Sequence, residues 1–319
     1  MDVPAVAISG LTKYYQTGFL HRRRTAALVD LNLTVRTGEI FGYLGPNGSG
    51  KTTTLKVILG LVRASAGTVS VLSCRHSDPS WRYRVGYLPE NPYFYDYLTA
   101  REYLDYVGRL FGQPLSTRRT RAQQLLEMVG LHKSPDQALR YFSKGMIQRV
   151  GIAQALMNDP ELVFLDEPMS GLDPMGRRLV REIIFGLKKA AKTVVFSTHI
   201  LSDAEVLCDR VGLLRGGRLL QEGRLDEILT LDVAHMEVLV SGLDALAIDA
   251  LGSGVRNRQC MGERWRLDVE EPWVGRVIRA VEEAHGRVIS LNPVRQSLED
   301  YFFREVSQSG SEASWTPEE

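Results

Sequence analysis

One short segment of this sequence has the residue types that bind phosphate: Gly45, Pro46, Asn47, Gly48, Ser49, Gly50, Lys51 and Thr52. Its glycines permit a tight loop whose backbone N–H groups converge on phosphate oxygens. The apolar residues 40–44 predict a strand before the loop. Residues 53–59 predict a helix after it, and the positive end of that helix also attracts phosphate. In this P-loop context we expect Lys51 to reach the β- and γ-phosphates of a nucleotide and the Thr52 hydroxyl to bind Mg²⁺.

A second segment ends in two carboxylates. Residues 162–165 are apolar and predict a buried strand, and Asp166 and Glu167 follow it directly. Paired acids at a strand end are often only solvated, but the phosphate loop favours a functional interpretation. We expect Asp166 to join the Mg²⁺ shell and Glu167 to orient, or accept a proton from, the water that attacks the nucleotide.

Length and composition limit the class of protein. The 319 residues suggest two domains at roughly 150 residues each. Lys and Arg number 39 against 38 Asp and Glu, so no overall charge would attract nucleic acid or an anionic membrane. The hydrophobic fraction of 44% excludes a disordered chain. No run of about 18 apolar residues could span a bilayer, and residues 1–10 lack an export signal, so we expect a cytoplasmic protein.

The hydrophobic pattern changes along the chain and predicts two domains and a tail. Short apolar runs at residues 40–44, 85–88, 162–165 and 193–197 alternate with helical patterns, which is typical of an α/β domain; we assign it residues 1–229. One helix is expected at residues 143–157, with Ser143 as its N-cap. Residues 230–306 show a strand, helix, strand, strand, helix, strand order and a closing helix, which predicts a small ferredoxin-like α+β domain. Residues 307–319 are expected to be a disordered tail.

Four further elements accompany the phosphate loop and the Asp–Glu pair. They are an aromatic residue, Tyr15, and the segments 142–149, 170–173 and 197–199. In order and spacing, the six elements resemble the motifs of ATP-binding-cassette (ABC) transporter ATP-binding subunits over residues 7–223. The resemblance implies a P-loop NTPase cassette with a mixed sheet core and a helical subdomain at about residues 92–158.

The resemblance also implies ATP and Mg²⁺ as ligands, and roles for individual residues. It implies that Glu167 and His199 are catalytic and that Thr52, Glu90 and Asp166 hold Mg²⁺. It implies a head-to-tail dimer in which each ATP lies between the phosphate loop of one copy and the signature helix of the other. The residues that it implies contact ATP are Tyr15, Gly45, Pro46, Asn47, Gly48, Ser49, Gly50, Lys51, Thr52, Thr53, Ser143, Gly145 and Asp173.

Three positions differ from the usual family pattern. In the signature segment, Lys144 stands where the family has glycine and Met146 where it has glutamine. Lys144 either contacts the nucleotide or is solvated, and the sequence leaves both open. Glu90 replaces a glutamine near the metal, and a carboxylate is also a ligand for Mg²⁺. These variants resemble a subgroup with a separate permease chain and a C-terminal accessory domain.

We therefore expect an ATP-hydrolysing transporter subunit, with export favoured, that energises a separate transmembrane permease. Its other partner is a second copy of this chain, its membrane contact is indirect, at the inner face of the cell membrane, and no nucleic acid is expected. We hypothesise that aromatic residues line the groove for the permease: Pro92, Tyr93, Phe94, Tyr95 and Tyr97.

Two alternatives stay open. One is a soluble ABC ATPase acting on ribosomes or DNA. Against it, the chain has one cassette, and the separation of 92 positions from Lys51 to Ser143 leaves no room for a long coiled coil. The other is a nucleotide-binding regulator with weak hydrolysis. Glu167 and His199 argue against it, whereas Glu90 favours it.

Overall fold

The structure is a computed structural model that describes residues 3–17, 23–229, 233–252, 254–295 and 298–299. The chain divides into two compact units, with the boundary between Leu225 and Asp226. The predicted tail at residues 307–319 lies outside the described residues, as does the predicted closing helix at residues 297–306 apart from two positions. The two units are taken separately.

In the first unit the structure describes ten strands. They are β1 (Pro4–Thr17), β2 (Arg23–Arg36), β3 (Ile40–Leu44), β4 (Ala66–Val71), β5 (Cys74–Arg75), β6 (Val85–Leu88), β7 (Leu162–Asp166), β8 (Thr193–Thr198), β9 (Arg210–Arg215) and β10 (Arg218–Arg224). The helices are α1 (Lys51–Ile58), α2 (Ala100–Leu110), α3 (Leu115–Met128), α4 (Lys144–Ala155), α5 (Pro174–Lys189), α6 (Leu201–Leu207) and, crossing the boundary, α7 (Leu225–Ile228). The four strands predicted from apolar runs are β3, β6, β7 and β8.

Six of these strands form a sheet in the order β10-β9-β3-β8-β7-β6. All neighbours from β9 to β6 are parallel, and β10 joins β9 as an antiparallel hairpin. Every residue of β3, β7 and β8 is buried, as expected for parallel strands covered on both faces. The predicted α/β fold with a mixed sheet is thereby confirmed. Because parallel strands end at one edge, the loops after β3, β7 and β8 lie close together.

A second sheet of the first unit is antiparallel, in the order β2-β1-β4-β5. One hydrophobic core joins the two sheets and α1, and it includes Leu11, Leu31, Phe41, Leu55 and Phe164. The phosphate loop therefore connects a buried strand to a helix that is itself anchored in this core.

The helices α2, α3 and α4 all lie within residues 92–158. Thr99 and Glu102 form a capping box at the start of α2, with each side chain bonded to the backbone N–H of the other residue. Ser143 is the N-cap of α4, as the sequence predicts, and its hydroxyl accepts a hydrogen bond from the Met146 N–H. The cap sets where α4 begins and therefore where its N-terminal N–H groups lie.

The second unit contains β11 (Val233–Ser241), α8 (Ala245–Asp249), β12 (Val255–Met261), β13 (Arg264–Val269), α9 (Val274–Glu283) and β14 (Arg287–Arg295). Its sheet has the order β12-β13-β11-β14, and all neighbours are antiparallel. Val238, Val240, Leu267, Val277 and Val281 are in its core. This is the predicted ferredoxin-like topology, in which each helix connects two strands separated by one other strand.

Candidate nucleotide site

The loop between β3 and α1 requires glycine at two positions. Gly45 and Gly50 have φ angles of +155° and +110°, and a Cβ there would lie 2.2 Å from the Leu214 carbonyl oxygen and 2.7 Å from that of Ala27. Both obstacles are backbone atoms, which a substituted side chain cannot displace cheaply. Gly48 also has a positive φ, +78°, which strains a residue with a side chain, but a Cβ there would contact nothing within 4 Å. Two glycines thus let the loop approach β9 and β2 closely.

The Lys51 side chain lies inside this loop. Its Nζ donates to the carbonyl oxygens of Gly45 (2.6 Å) and Pro46 (3.3 Å) and lies 3.5 Å from Glu167 Oε1. Burial lowers the pKa of Lys51, and the nearby charges of Glu167, Asp166 and Glu90 oppose that shift. The ammonium is therefore held among carbonyl and carboxylate oxygens at the centre of the loop, where phosphate oxygens are expected.

Asp166 brings the end of β7 to the start of α1. Its Oδ1 accepts hydrogen bonds from Ser197 Oγ (2.5 Å) and from Thr52 Oγ1 (3.3 Å). Its Oδ2 is buried and has no hydrogen-bond partner within the described part of the chain. A buried, unpaired carboxylate oxygen is costly unless it has a ligand, so Asp166 has the geometry of a residue that binds a cation.

Glu167 connects β7 with the end of β8. Its backbone has a φ of +48°, a strained conformation for a residue with a side chain, and its N–H contacts Ser197 Oγ at 3.1 Å and the Ser197 carbonyl oxygen at 3.2 Å. Its Oε2 lies 3.0 Å from His199 Nδ1. With Glu167 ionised, Nδ1–H donates to it, so the histidine orients the carboxylate that faces the phosphate loop.

The remaining predicted residues near the loop lie around this group. Thr53 is half-buried on α1, Ser49 is buried, and Asn47 is exposed. Glu90 is exposed two residues after β6, and its charge acts on Lys51 and on Tyr87, whose pKa is raised mainly by burial. Tyr15 is exposed on β1, opposite Thr25 of β2, and its ring centroid lies 5.0 Å from Lys13 Nζ.

The other predicted ATP-contacting residues form a separate group. Ser143 and Gly145 at the start of α4 line a cavity of about 840 Å³ together with Lys144, Gly171 and Asp173. Asp173 caps α5 by accepting a hydrogen bond of 2.7 Å from the Gly176 N–H. None of the phosphate-loop residues lines this cavity.

Two contacts of residues in this second group were not predicted from the sequence. The side chain of Lys144 lies against Gly171, so that a Cβ on that glycine would be 3.0 Å from Lys144 Cε. Gln148 on α4 is buried, and its Nε2 lies 3.4 Å from the carbonyl oxygens of Glu167 and Pro168. The only feature of the sequence that points to the contact of Gln148 is the presence of an amide two residues after Met146. Nothing in the spacing predicts the contact of Lys144 with Gly171.

Comparison with known proteins identifies this arrangement. The sequence profile described as "ABC transporter" matches residues 28–170. An uncharacterized ABC transporter ATP-binding protein of Synechocystis sp. is 46% identical over 302 residues, which are 94% of this chain and 84% of the relative. The chain belongs to the ABC transporter ATP-binding proteins. It binds ATP and hydrolyses it.

Other members of this family resemble the chain over similar lengths. The Nod factor export ATP-binding protein I of Ralstonia nicotianae is 34% identical over 312 residues, covering 95% of this chain and 94% of the relative. A dimeric ATP-binding cassette in a post-hydrolysis state, bound to ADP and phosphate, has a TM-score of 0.63 and 28% identity, covering 69% of this chain and 98% of that cassette. In the described part of this ABC protein, no helix is long and apolar enough to cross a membrane.

Proposed function

We propose that this chain drives export through a separate membrane permease by forming an ATP-dependent, head-to-tail dimer. The observation that carries the proposal is the division of the predicted ATP-contacting residues into two groups. Lys51 and Glu167 are buried and bonded within one chain, whereas Ser143 and Asp173 are exposed around a different cavity. A second copy, turned head to tail, would bring the second group of one chain to the first group of the other.

Magnesium fits the residues at the end of β7. The unpaired Oδ2 of Asp166 and the Thr52 hydroxyl beside Oδ1 are oxygen donors of the kind that Mg²⁺ prefers. Glu90 offers a further carboxylate, whose charge also acts on Lys51. When bound, the ion neutralises charge that develops on the β- and γ-phosphates. We assign Thr52, Asp166 and Glu90 to it.

Hydrolysis in this proposal depends on Glu167. Its carboxylate is held on one side by His199 and lies on the other side close to Lys51. Held in this way, it orients a water molecule and accepts a proton from it as the water attacks the γ-phosphate. Hydrolysis breaks the bond between the β- and γ-phosphates, and release of the free phosphate then removes the negative charge that attracted the start of α4 in the second copy, so the dimer opens.

The docking surface for the permease is a cavity of about 1140 Å³ in the helical region. Tyr95, Tyr97 and Tyr106 line it together with charged residues of α2 and α3. Of the aromatic segment that was predicted to line the groove, only Tyr95 and Tyr97 line this cavity. Phe94 is buried against Tyr103, and neither Pro92 nor Tyr93 lines the cavity. Aromatic residues and arginine, both of which line this cavity, are enriched in protein interfaces.

The proposed partner implies where the chain is located, and a relative indicates the direction of transport. Bound to a permease, the chain lies at the inner face of the cell membrane, where ATP is present. Export is favoured because the relative from Ralstonia nicotianae is named an export protein.

Two experiments test the proposal. Glu167→Gln should bind ATP without hydrolysing it, and size-exclusion chromatography with ATP and Mg²⁺ should then show a dimer. A monomer under saturating ATP would contradict the head-to-tail arrangement.

For the permease, Tyr95→Glu should abolish co-purification of the membrane protein encoded beside this chain. Tyr83 is also exposed but lies outside the cavity, so Tyr83→Glu should not affect co-purification. Equal recovery with both variants would contradict the docking surface.

A further inference from the structure

A second polar cavity lies in the first unit, at the other end of α1 from the phosphate loop. Its volume is about 650 Å³, within the range of small-molecule sites. β1, β4 and the segments after α1 and β4 surround it. The residues that line it are Ala7, Ser9, Val57, Gly60, Val62, Arg63, Ala64, Gly67, Thr68, Val69, Ser70, Arg75, His76 and Ser77.

The charged residues that line this cavity are all basic. Arg63 and Arg75 supply cationic groups, His76 supplies an imidazole ring, hydroxyl groups come from serine and threonine, and neither aspartate nor glutamate is present. No ion pair to these three residues occurs between positions that the structure describes. Arginine side chains and hydroxyl groups are the groups that bind phosphate in proteins.

The histidine of this cavity is fixed in place. His76 Nε2 lies 3.1 Å from the Ile58 carbonyl oxygen, and because a carbonyl only accepts, Nε2 donates. The ring also stacks on the buried Trp81, with centroids 5.8 Å apart. A further guanidinium is close, since a Cβ on Gly60 would lie 2.8 Å from Arg82 Nη2 and 3.5 Å from the His76 ring. Positive groups thus gather here, and an anion would relieve their repulsion.

Two parts of the chain connect this cavity with the nucleotide site. They are α1, which begins at the phosphate loop, and residues 63–65, which contact the strand that carries Tyr15. α1 has eight residues, so its two ends are about 12 Å apart. Lys13 Nζ donates to the Arg63 carbonyl oxygen at 2.9 Å and lies over the Tyr15 ring, and the Tyr14 N–H donates to Ser65 Oγ at 3.1 Å. A shift of residues 63–65 would therefore move the residue that is predicted to stack on adenine.

We propose that this cavity binds a ligand with a phosphate group and that its occupancy changes the affinity of the chain for ATP. Arg63 and Arg75 bind the phosphate oxygens, and His76 and the hydroxyl groups orient the ligand. The two tethers through Lys13 and Ser65 transmit occupancy to the adenine side of the nucleotide site. Neither the permease nor the dimer is required.

Inorganic phosphate is the first probe. The full chain is saturated with Mg²⁺ and a non-hydrolysable ATP analogue, so that the phosphate loop is occupied, and phosphate is titrated by calorimetry. Arg63→Gln/Arg75→Gln should bind it about tenfold more weakly, because two charge-assisted contacts are lost. Lys56→Gln is the control, since Lys56 is an exposed cation on α1 that does not line the cavity. Equal binding by wild type and the double variant would overturn the assignment of the site.

Vesicles distinguish the two sources of a phosphate group. If phosphatidylglycerol vesicles, but not phosphatidylcholine vesicles, retain the wild type and lose the double variant, the ligand is a lipid headgroup. Binding of free phosphate without retention by vesicles indicates a soluble phosphate compound. Failure of both probes to bind overturns the proposal.

The effect on ATP is measured separately. Phosphate, or the retaining vesicles, should change the ATP dissociation constant of the wild type about threefold more than that of the double variant, which has the same phosphate loop. Basal ATP turnover of the double variant should be unchanged. An identical change in both proteins would overturn the coupling to the nucleotide site.

Discussion

The two groups of predicted ATP-contacting residues differ in how far their hydrogen-bond and ion-pair partners are supplied by the same chain. Around the phosphate loop, Lys51, Asp166 and Glu167 are buried. Lys51 contacts Glu167 and backbone carbonyl oxygens, and Asp166 accepts hydrogen bonds from the hydroxyl groups of Ser197 and Thr52. At the start of α4, Ser143 and Lys144 are exposed, and the side chain of Lys144 covers a glycine rather than a charged group.

The contrast has a physical reason. Buried charges require partners in every state of the protein, so the phosphate-loop group must be assembled within the chain. An exposed helix start can leave its N–H groups to water until an anion arrives. The comparison therefore suggests that one half of the site is built during folding and the other half acts only on a ligand held by another molecule. Four experiments test it.

The largest effect is expected at the preassembled half. Glu167→Gln should lower the ATP turnover number about 10²-fold or more, because the proton acceptor is lost, and should leave ATP binding intact. Steady-state ATPase assays measure it. Glu127→Gln on α3, an exposed acid outside the site, is the control. Similar turnover in wild type and Glu167→Gln would remove the role assigned to Glu167.

A mixing experiment tests whether the halves come from different chains. Lys51→Ala disables the phosphate loop and Gly145→Asp disables the signature helix, so each homodimer should be nearly inactive. In a random mixture half of the dimers are mixed and each has one intact composite site, which predicts recovery of about a quarter of wild-type activity. The sum of the two separate activities, without any gain, would show that each site lies within a single chain.

Substitutions at Tyr15 test the exposed edge of the phosphate-loop group. Tyr15→Ala should weaken ATP binding about tenfold, since stacking of a base on an aromatic ring contributes about 1–3 kcal/mol. Tyr15→Phe keeps the ring and should bind ATP nearly as well. Fluorescence titration with an ATP analogue measures both constants. A similar loss in both variants would assign the effect to the hydroxyl rather than to stacking.

The smallest effect is expected at Lys144. Lys144→Gln should weaken ATP-driven dimerisation a few-fold at low salt, because a cation is removed from the helix start that meets phosphate, and the difference should shrink as salt increases. ATP binding by the single chain should not change. Lys189→Gln, an exposed cation at the end of α5, is the control. Dimerisation that is unaffected at low salt would mean that Lys144 only covers Gly171.

Particular residues show how far sequence reasoning extends. The strands β3, β6, β7 and β8 were predictable because a buried parallel strand is a continuous apolar run. The N-cap Ser143 was predictable because capping is local. The groove prediction was wrong for Phe94, since an aromatic residue packs equally well in a core or at an interface, and the pattern does not distinguish them.

By itself the sequence determined the local chemistry of this protein. A loop that needs Gly45 and Gly50, a strand that ends in Asp166 and Glu167, and the family to which they belong all follow from residue types at short spacing. Only the tertiary structure decided which distant segments meet. The contact of Lys144 with Gly171 and the cluster of Arg63, Arg75 and His76 depend on packing between separate elements. Hydrophobic periodicity sets which face of an element is buried, but it does not specify which side chains face each other across the fold.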